Sequence, residues 1–335
     1  METRYAKCCA GAGLAIRLST QTKSAVEAPG PDGPLRGTIV LPAKDAPIVL
    51  IIPGSGPTDR DGNSPLGVNA APYRLMAEGL AEQGIGSLRV DKRGMFGSQS
   101  AMTDANAVTI DDYVRDTGAW VDAVRTTTGA KCVWLLGHSE GGLVALATAA
   151  RMHDLCGIIL VATAGRPLGD VLKEQLHANP ANAPLLAAAD HSIDELSSGR
   201  RVDAAELPPT LASLFDPTIQ GFLISVFSLD PAHLAGKIAM PLLIMHGERD
   251  LQVSVADAQR LKLAAPHATL AVLPNTNHVL KQITLDDRGA NLATYVAADL
   301  PLAAGVVDGI AHFVKSRGRA SLIQLQRQPS ARNAR

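Results

Sequence analysis

Net charge is nearly absent from this chain: 31 Lys and Arg stand against 32 Asp and Glu in 335 residues, a formal −1 at pH 7. That balance argues against a nucleic-acid binder held by a basic surface, because neutralising phosphates takes clustered cations. The one basic bias lies at the end, where residues 315–335 carry Lys315, Arg317, Arg319, Arg327, Arg332 and Arg335 without an acid. Residues 318–335 therefore read as a solvated, disordered tail. Also missing is any unbroken apolar run of the roughly 18–20 residues that a membrane span requires. Near the start, Arg4 and Lys7 precede "CCAGAGLAI", but this stretch is short, broken by glycine and followed by Arg17. Residues 1–22 are expected to be a disordered extension rather than an export signal. Cysteine is sparse, and Cys8, Cys9, Cys132 and Cys156 show no metal-ligand spacing. Cys132 and Cys156 fall in apolar runs, where cysteine behaves as a small buried hydrophobe, which points to a reducing cytoplasm.

What is present is a regular alternation. No internal repeat is visible, and from Gly37 onward apolar strand-like runs alternate with longer helical patterns, the mark of a mostly parallel sheet with helices on both faces. Strands are predicted over 38–42, 48–54, 86–91, 131–137, 157–163, 241–247 and 269–274. Several are continuous apolar runs, as expected when both faces are covered. Helical spacing predicts helices over 73–84, 110–126, 141–152, 253–265 and 302–314. One interval breaks the pattern: residues 166–236 hold no convincing parallel strand, and Pro180, Pro184, Pro208, Pro209 and Pro217 divide short helical pieces. The predicted organisation is an α/β core over 23–165 and 237–317 with a helical lid inserted over 166–236.

"WLLGHSEGGLVAL" (134–146) interrupts an apolar run with Gly137, Ser139, Gly141 and Gly142. Glycine inside a helix or strand costs roughly 0.5–1 kcal/mol relative to alanine, so small residues must be needed here. A strand, then Gly-x-Ser-x-Gly, then a helix is a nucleophile elbow, which presents the serine at the sheet's carboxyl edge. The motif alone carries little weight; the strand before it and the helix after it give it meaning.

With "PGSGPTDRDGN" (53–63), "DKRGMFGS" (91–98) and "GHSEGG" (137–142) in this order, the chain resembles α/β-hydrolase-fold serine hydrolases from about Gly37 to Val314. More narrowly it resembles stand-alone bacterial esterases related to prolyl-oligopeptidase-like and serine-aminopeptidase-like hydrolases. The resemblance implies acyl-enzyme chemistry on a small-molecule ester, with thioester or amide as alternatives, and neither metal nor organic cofactor. It also implies the chain order Ser, acid, His. A serine hydroxyl needs a base, and the base needs an orienting acid. After Ser139, "PLLIMHGERDLQV" ends one strand with Glu248 and Asp250, and "LPNTNHVLK" ends the next with His278. Asp250 is expected to be the orienting acid, since it follows the bend that Gly247 starts. His278 is expected to be the base. His267 lies at the wrong sheet edge, His312 in a late helix, and His138 and His246 read as structural.

The oxyanion hole needs two backbone donors. Glu140, directly after the serine, and Ser55, in the glycine-rich loop after the 48–54 strand, are the expected pair. That loop fails as a dinucleotide fingerprint, because Asp59 stands where the third glycine belongs. It fails as a calcium loop, because Ala70 stands where a carboxylate is required. Asp59 and Arg60 are expected to shape the loop and to pair with the charges of "DKRG". In the insertion, Phe222, Leu223 and Phe227 belong to an apolar cluster that either packs the lid or binds substrate. They are expected to be substrate-binding residues, because ligand sites are largely apolar. A thioesterase, a peptidase or a non-catalytic binding protein on the same fold remain the alternatives.

Overall fold

Eight strands form one sheet in the computed structural model, which describes residues 22–326. They are β1 (Thr22–Ala28), β2 (Leu35–Leu41), β3 (Ile48–Ile52), β4 (Gly86–Val90), β5 (Trp134–His138), β6 (Gly157–Val161), β7 (Leu242–Gly247) and β8 (Thr269–Leu273). The spatial order is β1-β2-β4-β3-β5-β6-β7-β8. The first two pairings are antiparallel and all the others parallel. Strands β3 to β7 are buried at every residue, which is why they read as continuous apolar runs.

The helices are α1 (Pro72–Glu82), α2 (Ile110–Thr128), α3 (Glu140–Ala149), α4 (Leu168–His177), α5 (Leu186–Ser197), α6 (Pro209–Ala212), α7 (Gln220–Phe227), α8 (Pro231–Gly236), α9 (Val255–Ala264), α10 (Arg288–Ala293) and α11 (Val306–Gln326). Alternate residues of a strand point to opposite faces, and two cores follow from that. Leu50, Ile52, Leu135 and Ile158 pack with α2, α3 and the insertion. Val49, Ile51, Leu136 and Ile159 pack with α1 and α11. Helix α2 starts at a capping box, in which Thr109 and Asp112 satisfy each other's backbone N–H groups, and Gly129 closes it in a left-handed conformation.

The interval 166–236 is helical, holding α4 to α8 between β6 and β7. Three features differ from the sequence expectations. An antiparallel edge strand, β1, precedes the first predicted strand; its burial pattern is almost wholly exposed, so it carries no apolar signal. The last helix continues to Gln326, so the first part of the tail expected to be disordered is helical, while residues 327–335 lie outside the described residues. The N-terminal extension, with Cys8 and Cys9, lies outside them as well, apart from Thr22.

The third difference is a correction. Cys132 and Cys156, expected to be separate buried thiols, form a disulfide. They precede the adjacent strands β5 and β6, and Cys156 N donates to Val133 O at 3.0 Å. Strand pairing thus brings together two sulfurs separated by 24 residues. With these two cysteines bonded, cysteine usage does not point to a reducing compartment. Among the described residues, no helix is long and apolar enough to cross a membrane.

Candidate active site

The elbow explains its glycines. Ser139 adopts φ 55° and ψ −122°, a conformation that costs a non-glycine residue on the order of 1–3 kcal/mol and persists only when its surroundings enforce it. Its N–H donates to Val161 O at 2.9 Å, tying the turn to β6. A Cβ at Gly137 would overlap the Gly141 carbonyl, and one at Gly141 would overlap the backbone oxygen of Ile52. The bend can therefore close only with glycine at both positions.

Ser139, Glu140 and His278 line one cavity of about 640 Å³ above the carboxyl ends of β3 and β5, together with Gly54 and Ser55 from the loop after β3. His278 follows β8, and its Nδ1 lies 2.8 Å from Asp250 Oδ2. Both side chains are buried. Asp250 Oδ1 accepts from Gln252 N at 2.7 Å and Val253 N at 3.0 Å, which fixes the carboxylate. Burial alone would raise its pKa, but His278 beside it and the hydrogen bonds it accepts hold it below the usual carboxylate value. Glu248, the competing carboxylate, is exposed and accepts a long 3.4 Å bond from Asn275 N. Nor does Asp250 cap α9, whose N-cap residue is Ser254.

His138 does more than pack. Its Nε2 lies 2.9 Å from the His278 carbonyl oxygen, an acceptor only, so Nε2 carries the proton. Nδ1 must then accept from the Tyr73 hydroxyl, at 2.9 Å. That hydroxyl in turn accepts from Gly54 N at 3.1 Å. Burial, followed by the neighbouring His278, pushes the His138 pKa down to about 3, which keeps the ring neutral. One chain of hydrogen bonds thus joins the loop after β3, the residue before Ser139 and the backbone of His278. Nothing in the sequence marked Tyr73, which reads there as one apolar position of a helix.

A second missed group holds the histidine loop. Asn277 Nδ2 donates to Thr294 Oγ1 at 2.8 Å and Asn291 Oδ1 at 3.0 Å. Asn291 Nδ2 donates to Arg249 O at 2.8 Å. The loop that carries His278 and the turn that carries Asp250 are therefore joined through Asn291. The signal available in the sequence was the polar "NTN" ahead of the histidine.

The charged motifs brace the loops beside the cavity, which Lys92 and Arg93 themselves line. Arg60 N donates to Asp91 Oδ1 at 2.9 Å, and its guanidinium pairs with the same carboxylate. Asp59 Oδ1 accepts from Asp61 N and Asn63 N, each at 2.8 Å, shaping the loop. Buried Arg93 pairs with Asp112 and Asp116, each at 2.7 Å. Lys92 Nζ donates to Gly54 O at 2.7 Å and stands 3.8 Å from Glu140 Oε1. Phe222, Leu223 and Phe227 line the cavity from α7. Phe222 also meets Tyr113 edge to face, with ring centroids 5.6 Å apart.

Known proteins resemble this chain to different extents. The profile of the serine aminopeptidase S33 family matches residues 66–206, which includes Ser139 but stops short of Asp250 and His278. Esterase EstD of Thermotoga maritima is 28% identical over 228 residues, 67% of this chain and 52% of that protein. The chain thus spans about half the length of this curated relative. Among solved structures, Est1E from Butyrivibrio proteoclasticus aligns with a TM-score of 0.54 at 17% identity, covering 88% of this chain and 99% of that one. Proline iminopeptidase from Mycobacterium smegmatis aligns at 0.57 and 16%, covering 89% and 100%. The Pyrococcus furiosus esterase Pf2001 aligns at 0.53 and 17%, covering 88% and 93%. With its mostly parallel sheet, its serine elbow and these likenesses, the chain is an α/β-hydrolase-fold protein, similar to stand-alone bacterial esterases and to serine aminopeptidases of the S33 type.

Proposed function

We propose that this protein is a serine carboxylesterase that cleaves a small-molecule carboxylic ester through an acyl-enzyme on Ser139. The observation that carries the reading is the 2.8 Å contact between His278 Nδ1 and Asp250 Oδ2 in a cavity that Ser139 also lines. A carboxylate on Nδ1 keeps the proton on that nitrogen and leaves Nε2 as the base. His278 Nε2 takes the Ser139 hydroxyl proton as Oγ attacks the ester carbonyl. The backbone N–H groups of Ser55 and Glu140 receive the oxyanion. The imidazolium then gives its proton to the departing alkoxide, and a water activated by the same nitrogen hydrolyses the acyl-serine. No step calls on a metal or an organic cofactor.

The helical interval 166–236 acts in this proposal as a lid, with Phe222, Leu223 and Phe227 as the wall against the acyl group. The likeness of residues 66–206 to the serine aminopeptidase S33 family favours a peptidase as the second reading. Labelling with a fluorophosphonate separates an enzyme of either kind from a non-catalytic binding protein, and an ester, thioester and peptide panel separates the chemistries. Ser139→Ala should abolish the label and lower turnover to at most the roughly 10³–10⁴-fold catalysis over water that survives loss of a triad member. An adduct on a different serine would overturn the assignment. Cellular location is open to an equally direct measurement. A cytoplasmic enzyme would hold Cys132 and Cys156 as thiols and an exported one as a disulfide, and alkylation of the native-source protein followed by mass spectrometry distinguishes them.

A further inference from the structure

Lys92 is a buried cation at the floor of the cavity that the proposed chemistry leaves without a task. Its Nζ donates to the Gly54 carbonyl oxygen at 2.7 Å and faces Glu140 Oε1 at 3.8 Å. The Tyr113 ring centroid lies 5.6 Å from the same nitrogen. Burying an ammonium is costly unless its partners compensate, so this placement needs a reason.

The two oxygens that Lys92 faces are not arbitrary. The Gly54 carbonyl and the Ser55 N–H belong to one peptide group. Hydrogen bonding to the carbonyl of a peptide polarises it and makes its N–H a stronger donor, an effect that a low-dielectric surrounding enlarges. Glu140 supplies the other donor from its own backbone, and its carboxylate is the counter-charge of the ammonium. Tyr73, which accepts from Gly54 N at 3.1 Å, holds the preceding peptide.

We infer that Lys92 is a positioning residue for the oxyanion hole, joining its two halves through the Gly54 carbonyl and the Glu140 carboxylate and polarising the Gly54–Ser55 peptide towards the developing oxyanion. The inference rests on the Ser139 reading and on Ser55 and Glu140 as donors. Lys92 touches no reacting atom; it acts through the Gly54–Ser55 peptide and the Glu140 carboxylate. Its contribution belongs to the transition state, where negative charge appears on the carbonyl oxygen, and not to ground-state binding of a neutral ester.

The test is Lys92→Met, which keeps the apolar stem, and Lys92→Gln, which keeps a neutral donor. The readouts are steady-state hydrolysis of a p-nitrophenyl ester, affinity for an aliphatic trifluoromethyl ketone and the rate of fluorophosphonate labelling. Removal of an oxyanion donor costs about 10²–10³-fold in kcat, so weakening one should lower kcat for Lys92→Met by about 10–100-fold. KM should change by less than about threefold. Affinity for the ketone, which forms a tetrahedral adduct on serine, should fall in proportion to kcat, and Lys92→Gln should fall between Lys92→Met and wild type. A structural role would move KM and kcat together, alongside thermal stability, without singling out the tetrahedral adduct. If Lys92→Met does not fold, Lys92→Gln carries the test, and unchanged kcat and ketone affinity in it overturn the inference. A wild-type chain that labels, beside a Lys92→Met variant that labels equally fast, overturns the role of Lys92 alone. A wild-type chain that never labels overturns the Ser139 reading, and this inference with it.

Discussion

Replacing Asp250 by asparagine tests the proposed triad at its most specific point. Two backbone N–H groups, from Gln252 at 2.7 Å and Val253 at 3.0 Å, converge on Oδ1, while Oδ2 faces His278 Nδ1 at 2.8 Å. In Asp250→Asn, the amide oxygen belongs on the side of those two donors, since an NH₂ there would face N–H groups. The NH₂ group is then aimed at His278 Nδ1, which can meet it only as an acceptor. The imidazole proton moves to Nε2, the nitrogen that should take the proton of Ser139. The turn keeps its hydrogen bonds, so the fold should survive while the base is held in the wrong tautomer. A wrong tautomer of this kind lowers kcat by about 10⁴-fold in a serine protease, equivalent to about 5 kcal/mol of transition-state stabilisation. The assay is kcat and KM for a p-nitrophenyl ester, with circular dichroism to verify folding, beside Glu248→Gln. Glu248 is exposed, and its replacement should cost under about tenfold. A folded Asp250→Asn within tenfold of wild type, or a larger loss for Glu248→Gln, would refute the tautomer argument.

Two further outcomes follow from the cavity and from the hydrogen-bond chain beneath it. Phe222→Ala and Phe227→Ala should raise KM for long acyl chains more than for acetyl esters, because both rings line the cavity; equal effects at every chain length would mean that the rings only pack the insertion. Tyr73→Phe keeps a fully buried ring and removes the hydroxyl shared by Gly54 N and His138 Nδ1. Each buried group left without a partner costs about 1–3 kcal/mol, so the variant should lose about 2–6 kcal/mol in urea unfolding, and a loss under about 0.5 kcal/mol would count against the chain.

Much of the architecture was legible because parallel strands buried on both faces leave continuous apolar runs, and all seven predicted strands lie in the sheet. The elbow was legible too, since a turn that admits no Cβ at Gly137 or Gly141 writes its glycines into the sequence. β1 was not, because an exposed edge strand is held by backbone pairing that leaves no side-chain pattern. Period-two geometry sends Glu248 and Asp250 the same way along an extended segment, so it took the turn after Gly247 to separate them, burying one carboxylate against His278 and leaving the other in solvent. The disulfide was hidden for a related reason: Cys132 and Cys156 become neighbours only when β5 and β6 pair. The links from Gly54 through Tyr73 and His138 to His278, and from Lys92 to Gly54 and Glu140, join residues far apart in the chain. Local sequence determines which residues can turn, pair and pack; which distant polar groups must satisfy one another is decided only when tertiary packing removes water from all of them at once.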